Sequence, residues 1–256
     1  GAGTEYLYGL LIQLLGHEAV YAVENPGYQK IGKIYRNYQV NWTYIDMDDE
    51  GVEVSQLEEK KVDIVHISPS HHYPTGIVMP ISRRYELLGW ASKGERRYII
   101  EDDYDSEFGF RAHPMPALAA LDDGGRVVYM NTFSRSLAPA LRVGYMVLPG
   151  DLMSRVRENL GFYGCTVSSF EQYTLARFLS EGHFEKHINR MRKSYRTRRT
   201  EIRDILENCP GRFAILEQEA GLHFLLRLET PLSDGEIVQI WAEQGIRVRP
   251  LSRFYH

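Results

Sequence analysis

The sequence predicts an α/β protein built on a mainly parallel sheet and followed by a smaller α+β unit. Short apolar, β-branched runs alternate with longer amphipathic stretches through the first 150 residues. Most of these runs are too short and too uniformly apolar to be anything but buried strands. After residue 151 the pattern turns helical, and strand-like runs return only near the end. In chain order, a helix over 5–15 precedes strands at 19–23, 42–45 and 62–67. A helix over 83–90 follows, then strands at 98–100, 127–130 and 143–147. Residues 169–179 and the basic stretch 187–203 predict helices. Strands at 213–216, 222–228 and 246–248 surround a helix near 233–244, whose Ser-Asp-Gly-Glu start is a capping-box pattern. The expected division is a large domain over 1–195, including an interdomain helix, and an incomplete small domain over 196–256. Trp42, Trp90 and Trp241 are expected in the core.

Composition narrows the function. With 256 residues, 43% hydrophobic and 25% charged, the chain is globular and supports a substantial core. No stretch approaches the ~20 apolar residues of a membrane span, and Gly1-Ala2-Gly3-Thr4 lacks the features of a signal peptide. A net charge of -4 excludes a body devoted to nucleic acid, which needs a basic excess. Cys165 and Cys209 are isolated, fitting neither a zinc cluster nor a disulfide framework, so a cytoplasmic location is expected. The missing initiator Met and the end at Phe254-Tyr255-His256 lead us to expect a piece of a longer chain.

In an open α/β sheet the ligand lies beyond the carboxyl ends of the strands. Four such places are unusually polar. Gly1-Ala2-Gly3-Thr4-Glu5 leads straight into a helix, where free N–H groups and the dipole favour phosphate, although plain capping is the commoner reading of such a turn. Residues 101–107 hold five carboxylates in seven positions, Glu101, Asp102, Asp103, Asp105 and Glu107. They fit a divalent metal, a carboxylate paired with a protonated ring nitrogen beside Tyr104, or a solvated acidic loop. Thr132, Ser134 and Ser136, with Arg142 before the next strand, have the chemistry of a phosphate clamp. Glu24-Asn25-Pro26-Gly27-Tyr28 and Ser68-Pro69-Ser70-His71-His72-Tyr73-Pro74-Thr75-Gly76 each present a ring after a strand, and Tyr28 is placed to stack on a flat ligand.

Taken together, these segments resemble the aminotransferase-like domain of fold type I pyridoxal-phosphate (PLP) proteins. Within that superfamily the chain is most similar to MocR-type regulators, which join a GntR-type winged-helix DNA-binding domain to such a domain. The resemblance is carried also by Thr132-Phe133-Ser134-Arg135-Ser136-Leu137-Ala138-Pro139 and Glu181-Gly182-His183-Phe184, in the right order over nearly the whole chain. The Pro-Ser-His turn and Glu101 to Phe108 are specific to the regulator branch; ordinary class I aminotransferases carry Asn where Tyr73 stands. The resemblance implies a three-layer α/β/α large domain, a homodimer, a small amino acid or amine as ligand, and DNA contact only through an absent N-terminal domain. It implies that Asp102 keeps the pyridine nitrogen protonated, that Tyr104 hydrogen-bonds the phenolic oxygen and that Tyr28 stacks on the ring. Gly3, Thr4 and Glu5 through their backbone, with Thr132, Ser134 and Arg142, would hold the phosphate, and Ser70 and His71 would line the far side.

Position 135 departs from that pattern. The family has Lys there, joined to the cofactor aldehyde as a Schiff base, whereas this chain has Arg. A lysine amine can be neutral when buried or beside other cations, but a guanidinium stays protonated. The expectation is therefore noncovalent PLP, or a preformed adduct, with little turnover. A natural sensor and a deliberate Lys-to-Arg substitution both account for it. A free-standing class I aminotransferase inactivated at this position is the alternative, and a metal-dependent phosphotransferase on residues 101–107 is a second. Lys30 is expected to be a solvated lysine or a contact for a ligand carboxylate. His183 and His187 share a helix face without a third metal ligand and are expected to be a surface or packing pair. The seven basic residues of 190–203 are expected to be a solvated helix face.

Overall fold

The computed structural model describes residues 1–109, 115–209, 211, 213–216 and 222–256. A seven-stranded sheet runs through its centre. Its strands are β1 (Val20–Asn25), β2 (Asn41–Asp48), β3 (Gly51–Val52), β4 (Ile64–Ile67), β5 (Tyr98–Asp103), β6 (Val127–Thr132) and β7 (Gly144–Val147). Their spatial order is β3-β2-β1-β4-β5-β6-β7. The four pairings from β2 to β6 are parallel, and β3 and β7 close the edges antiparallel. The chain passes from β1 outward to β2 and returns on the other side at β4, so the switch point of the sheet lies between β1 and β4.

Helices cover both faces, which is why the strands are apolar on both sides. One face packs Leu7, Leu11 and Ile12 of α1 (Thr4–Leu15), Ile31 and Tyr35 of α2 (Gln29–Asn37) and Leu152 of α6 (Gly150–Asn159) against Val23, Ile64, Ile100 and Val128. The other packs Val54 and Leu57 of α3 (Val54–Glu59) and Leu87 and Trp90 of α4 (Ile81–Ser92) against Ile45, Val65, Ile67 and Ile99. The expected three-layer α/β/α arrangement with a mainly parallel mixed sheet is the one observed. Strand alternation sorts these residues: Ile64 and Ile100 face α1, and Val65 and Ile99 face α4.

Beyond a four-residue helix α5 (Phe133–Ser136), α7 (Ser169–Ser180) and the 25-residue α8 (His183–Glu207) lead to a hairpin of β8 (Phe213–Leu216) and β9 (Leu225–Leu228) and to α9 (Asp234–Glu243). The capping box at Ser233 forms with Glu236 as the sequence predicts. Residue 196 lies inside α8. Three expectations need correction. Residues 246–248 form no strand; they continue irregularly into a short turn over Leu251–Phe254. Among the tryptophans only Trp90 is fully buried, whereas Trp42 packs partly exposed against the core and Trp241 is half-buried outside it. Strands β1, β5 and β6 run past their apolar runs to Asn25, Asp103 and Thr132, because the polar ends still pair with their neighbours.

Candidate functional site

The carboxyl ends of β1, β4, β5 and β6 and the N-terminus of α1 meet on one side of the sheet. Asp102 has the same strand parity as Ile100 and therefore faces α1. There Tyr8 donates its hydroxyl to Asp102 Oδ2 at 2.5 Å, and His66 Nε2 lies 3.6 Å from the same oxygen. Tyr35 Oη meets His66 Nδ1 at 2.8 Å, so Tyr8 holds the carboxylate by a hydrogen bond while the Tyr35–His66 pair stands close beside it. Its other oxygen, Asp102 Oδ1, is buried and has no hydrogen-bond partner among the described residues. A buried acceptor left unpaired is costly, and it is the group a ring N–H would satisfy. Burial, reinforced by the charge of Asp102, drives the Tyr8 hydroxyl well above its usual range and keeps it a donor.

The same alternation separates the remaining carboxylates. Glu101 faces α4, where it accepts backbone N–H groups of Leu118 and Ala119 and lies 3.8 Å from the buried Arg84. Arg84 in turn donates to the carbonyls of Met79, Pro116 and Pro69, fixing the turn that carries Ser70 and His71. Asp103 accepts from Tyr129, Asp105 contacts His71 Nδ1 at 2.9 Å and Glu107 reaches Asn131. The five carboxylates of residues 101–107 thus turn to different partners, and the phosphotransferase cluster expected as an alternative does not assemble on them. Burial raises the carboxyls of Glu101, Asp103 and Glu107.

The phosphate candidates lie together around the start of α1. Gly3 adopts φ 87° before the helix, and an added Cβ would stand 2.5 Å from Arg142 Nη2, pushing the guanidinium off the helix end. Arg142, itself left-handed at φ 50°, donates to Glu5 at 2.9 Å. Thr132 Oγ1 reaches Ser134 Oγ at 3.0 Å and donates to the carbonyl of Val143, beside Arg142. Lys30 pairs with Glu5, which makes it a solvated ion-pair lysine at the rim. Tyr28, 49% exposed, stands edge-on to Tyr73 with ring centres 6.0 Å apart.

Tyr104 Oη lies 3.2 Å from His71 Nδ1. Burial pushes its hydroxyl up, Asp105 adds to this and Arg135 opposes it, so the guanidinium is electrostatically coupled to the tyrosine although Arg135 is exposed. Ser70 is half-buried beside the buried His71. His183 meets Glu181 and His187 meets the carbonyl of Ser136, the packing roles expected of them.

Sequence reasoning missed Tyr8, Tyr35, His66 and the role of Glu24. The one signal was His66 itself, a polar residue in the apolar run Ile64-Val65-His66-Ile67. Glu24 is buried at the end of β1, accepts the Ser68 N–H at 3.2 Å and lies 3.4 Å from His72 Nε2. Burial pushes its carboxyl up to about 8, and burial with the neighbouring His71 pushes His72 down to about 3. A carboxyl raised on folding costs stability as it ionises, so the loss grows from the ordinary carboxyl value of 4.5 up to about 8. Glu24→Gln is therefore expected to raise the thermal midpoint at pH 8 and above and leave it nearly unchanged near pH 4.5, read by thermal unfolding across pH.

Similarity to known proteins agrees with this geometry. The chain is 38% identical over 256 residues to an uncharacterized HTH-type transcriptional regulator, YdeL, of Bacillus subtilis, covering 100% of this chain and 55% of that one. It is 33% identical to the probable rhizopine catabolism regulatory protein MocR of Rhizobium meliloti, over 99% of this chain and 52% of the relative. The chain thus spans about half the length of these curated relatives. Among solved structures, the kynurenine aminotransferase of Pyrococcus horikoshii in complex with PMP superposes with a TM-score of 0.82 at 30% identity, covering 100% of this chain and 66% of that one. The profile of aminotransferase class I and II matches residues 1–256, and this chain belongs to that family.

Proposed function

We propose that this chain is the PLP-binding, aminotransferase-like domain of a MocR/GntR-type cytoplasmic transcriptional regulator, sensing PLP or its adduct with a small amino compound. The observation that carries the reading is the buried, unpartnered Asp102 Oδ1 at the carboxyl end of β5, with Tyr8 hydrogen-bonded to its other oxygen and His66 3.6 Å from it. When bound, PLP supplies an electron-withdrawing pyridinium ring. Asp102 holds the proton on the ring nitrogen through Oδ1, while Tyr8 keeps Oδ2 occupied and the carboxylate oriented. Tyr104 directs its hydroxyl to the phenolic oxygen, and its raised ionisation keeps it a donor. Tyr28 covers a ring face, and Ser70 and His71 wall the far side. The backbone of Gly3, Thr4 and Glu5, the hydroxyls of Thr132 and Ser134 and the guanidinium of Arg142 receive the phosphate.

Arg135 sets the limit on chemistry. A guanidinium that never loses its proton neither bonds to an aldehyde nor shuttles a proton, so it holds charge near Tyr104 without turnover. Dimerisation is supported by Phe162, Phe170 and Tyr173, which are 79%, 80% and 74% exposed. DNA contact belongs to an N-terminal domain preceding this chain, and the division into a large domain over 1–195 and a small one over 196–256 is part of the same proposal. Within the described residues no helix is long and apolar enough to cross a membrane. Borohydride reduction of the chain mixed with PLP tests the reading. The expected result is cofactor retained on dialysis but released on denaturation, with no mass added; a covalent adduct, or no retention at all, overturns it.

A further inference from the structure

His71, Asp105 and His223 come from three distant parts of the chain: the turn after β4, the segment after β5 and the strand-like run ahead of β9. One ligand atom from each lies within 4.8 Å of the others. We propose that these three residues form a binding site for a divalent transition-metal ion of the zinc class, which clasps the C-terminal hairpin to the wall of the large domain.

Two imidazoles and one carboxylate are a zinc ligand set that leaves a fourth position open. Tetrahedral ligands at zinc bond lengths stand roughly 3.3 Å apart. Asp105 Oδ2 and His71 Nδ1, at 2.9 Å, already form one such edge, and the His223 ligand atom lies within 4.8 Å of its partners. The two rings face each other with centres 4.4 Å apart and planes tilted by 40°.

Hydrogen bonding prepares the rings. His223 Nε2 lies 3.2 Å from the carbonyl of Pro74, which can only accept, so the proton sits on Nε2 and Nδ1 keeps its lone pair. His71 is 3% exposed, and its Nε2 is buried without a hydrogen-bond partner among the described residues. With Nδ1 as its ligand atom, His71 meets the Asp105 carboxylate and the second imidazole in one cluster, the donor set that an ion gathers. His71 Nδ1 also touches Tyr104 Oη at 3.2 Å, so the site adjoins the pocket without depending on any ligand there. Ion binding displaces the proton shared between His71 and Asp105.

The test uses zinc alone. After dialysis against Zn²⁺, elemental analysis of the wild-type chain is expected to give one ion per chain, retained in a Cys165→Ser/Cys209→Ser double variant. Mg²⁺, which prefers oxygen ligands, is expected not to compete. His223→Gln and Asp105→Asn are each expected to weaken zinc by roughly 100-fold or more, since losing a direct ligand exceeds the 10–100-fold cost of losing an outer partner. Zinc is expected to raise the thermal midpoint of the wild type and not of these variants. Circular dichroism in EDTA checks folding, and if one variant is unfolded the other carries the readout. No bound zinc in the wild type, zinc retained by both folded variants, or zinc lost with the cysteines overturns the proposal.

Discussion

Asp102→Asn is expected to lower PLP affinity by on the order of 100-fold, because truncating one partner of a buried charged hydrogen bond costs about 2–5 kcal/mol. Asparagine keeps the shape and still accepts from Tyr8, so the packing around β5 survives. What disappears is the negative charge beside the ring nitrogen and with it the means of holding a proton there. The effect is thus electrostatic. It is measured by titrating PLP into both proteins and following the visible absorption band and the amount retained on dialysis. Thermal unfolding without cofactor is the control, with the two midpoints expected within a few degrees, since a change of about 1 kcal/mol moves a chain of this size by only about 2–4 °C. Equal affinities would mean that the unpartnered oxygen serves some other ligand.

Arg135→Lys is expected to convert noncovalent retention into stoichiometric covalent attachment, from no borohydride-stable cofactor to one per chain. A lysine amine reaches the neutral, nucleophilic form when its environment lowers its proton affinity, and position 135 interacts electrostatically with the buried Tyr104. The guanidinium has no such form. Intact-mass measurement after reduction reads the difference, and peptide mapping locates it. Attachment at Lys30 in the wild type would contradict the ion-pair role that Glu5 gives that residue. Failure of Arg135→Lys to attach would place the aldehyde elsewhere.

Most of the sheet was legible because β4 and β5 are buried on both faces and begin on apolar, β-branched or aromatic residues, Ile64-Val65 and Tyr98-Ile99-Ile100. Strand ends were not, for the reason that makes them useful: Glu24, Asp102 and Thr132 are polar residues held in the ladder by neighbouring strands rather than by their own hydrophobicity. Helix α2 was missed because Gln29–Asn37 is largely polar, with Ile31, Gly32 and Tyr35 its buried residues; Gly32 lies where a Cβ would stand 2.7 Å from the Trp42 ring. The residues proposed to face a ligand came from the order along the chain of the segments that carry the family resemblance. Those that brace them did not, since Tyr8 and His66 acquire their meaning only when α1 is laid across β4 and β5, and His223 only when the C-terminal hairpin is brought against His71.

The most direct measurement is a crystal structure of the wild-type chain soaked with PLP. The expected density places the pyridine nitrogen about 2.7–3.2 Å from Asp102 Oδ1, with the phosphate against the start of α1 and Arg142 and no bond from residue 135 to the ring aldehyde. A cofactor bound with its nitrogen turned away from Asp102, or density continuous with the side chain at 135, would contradict the account.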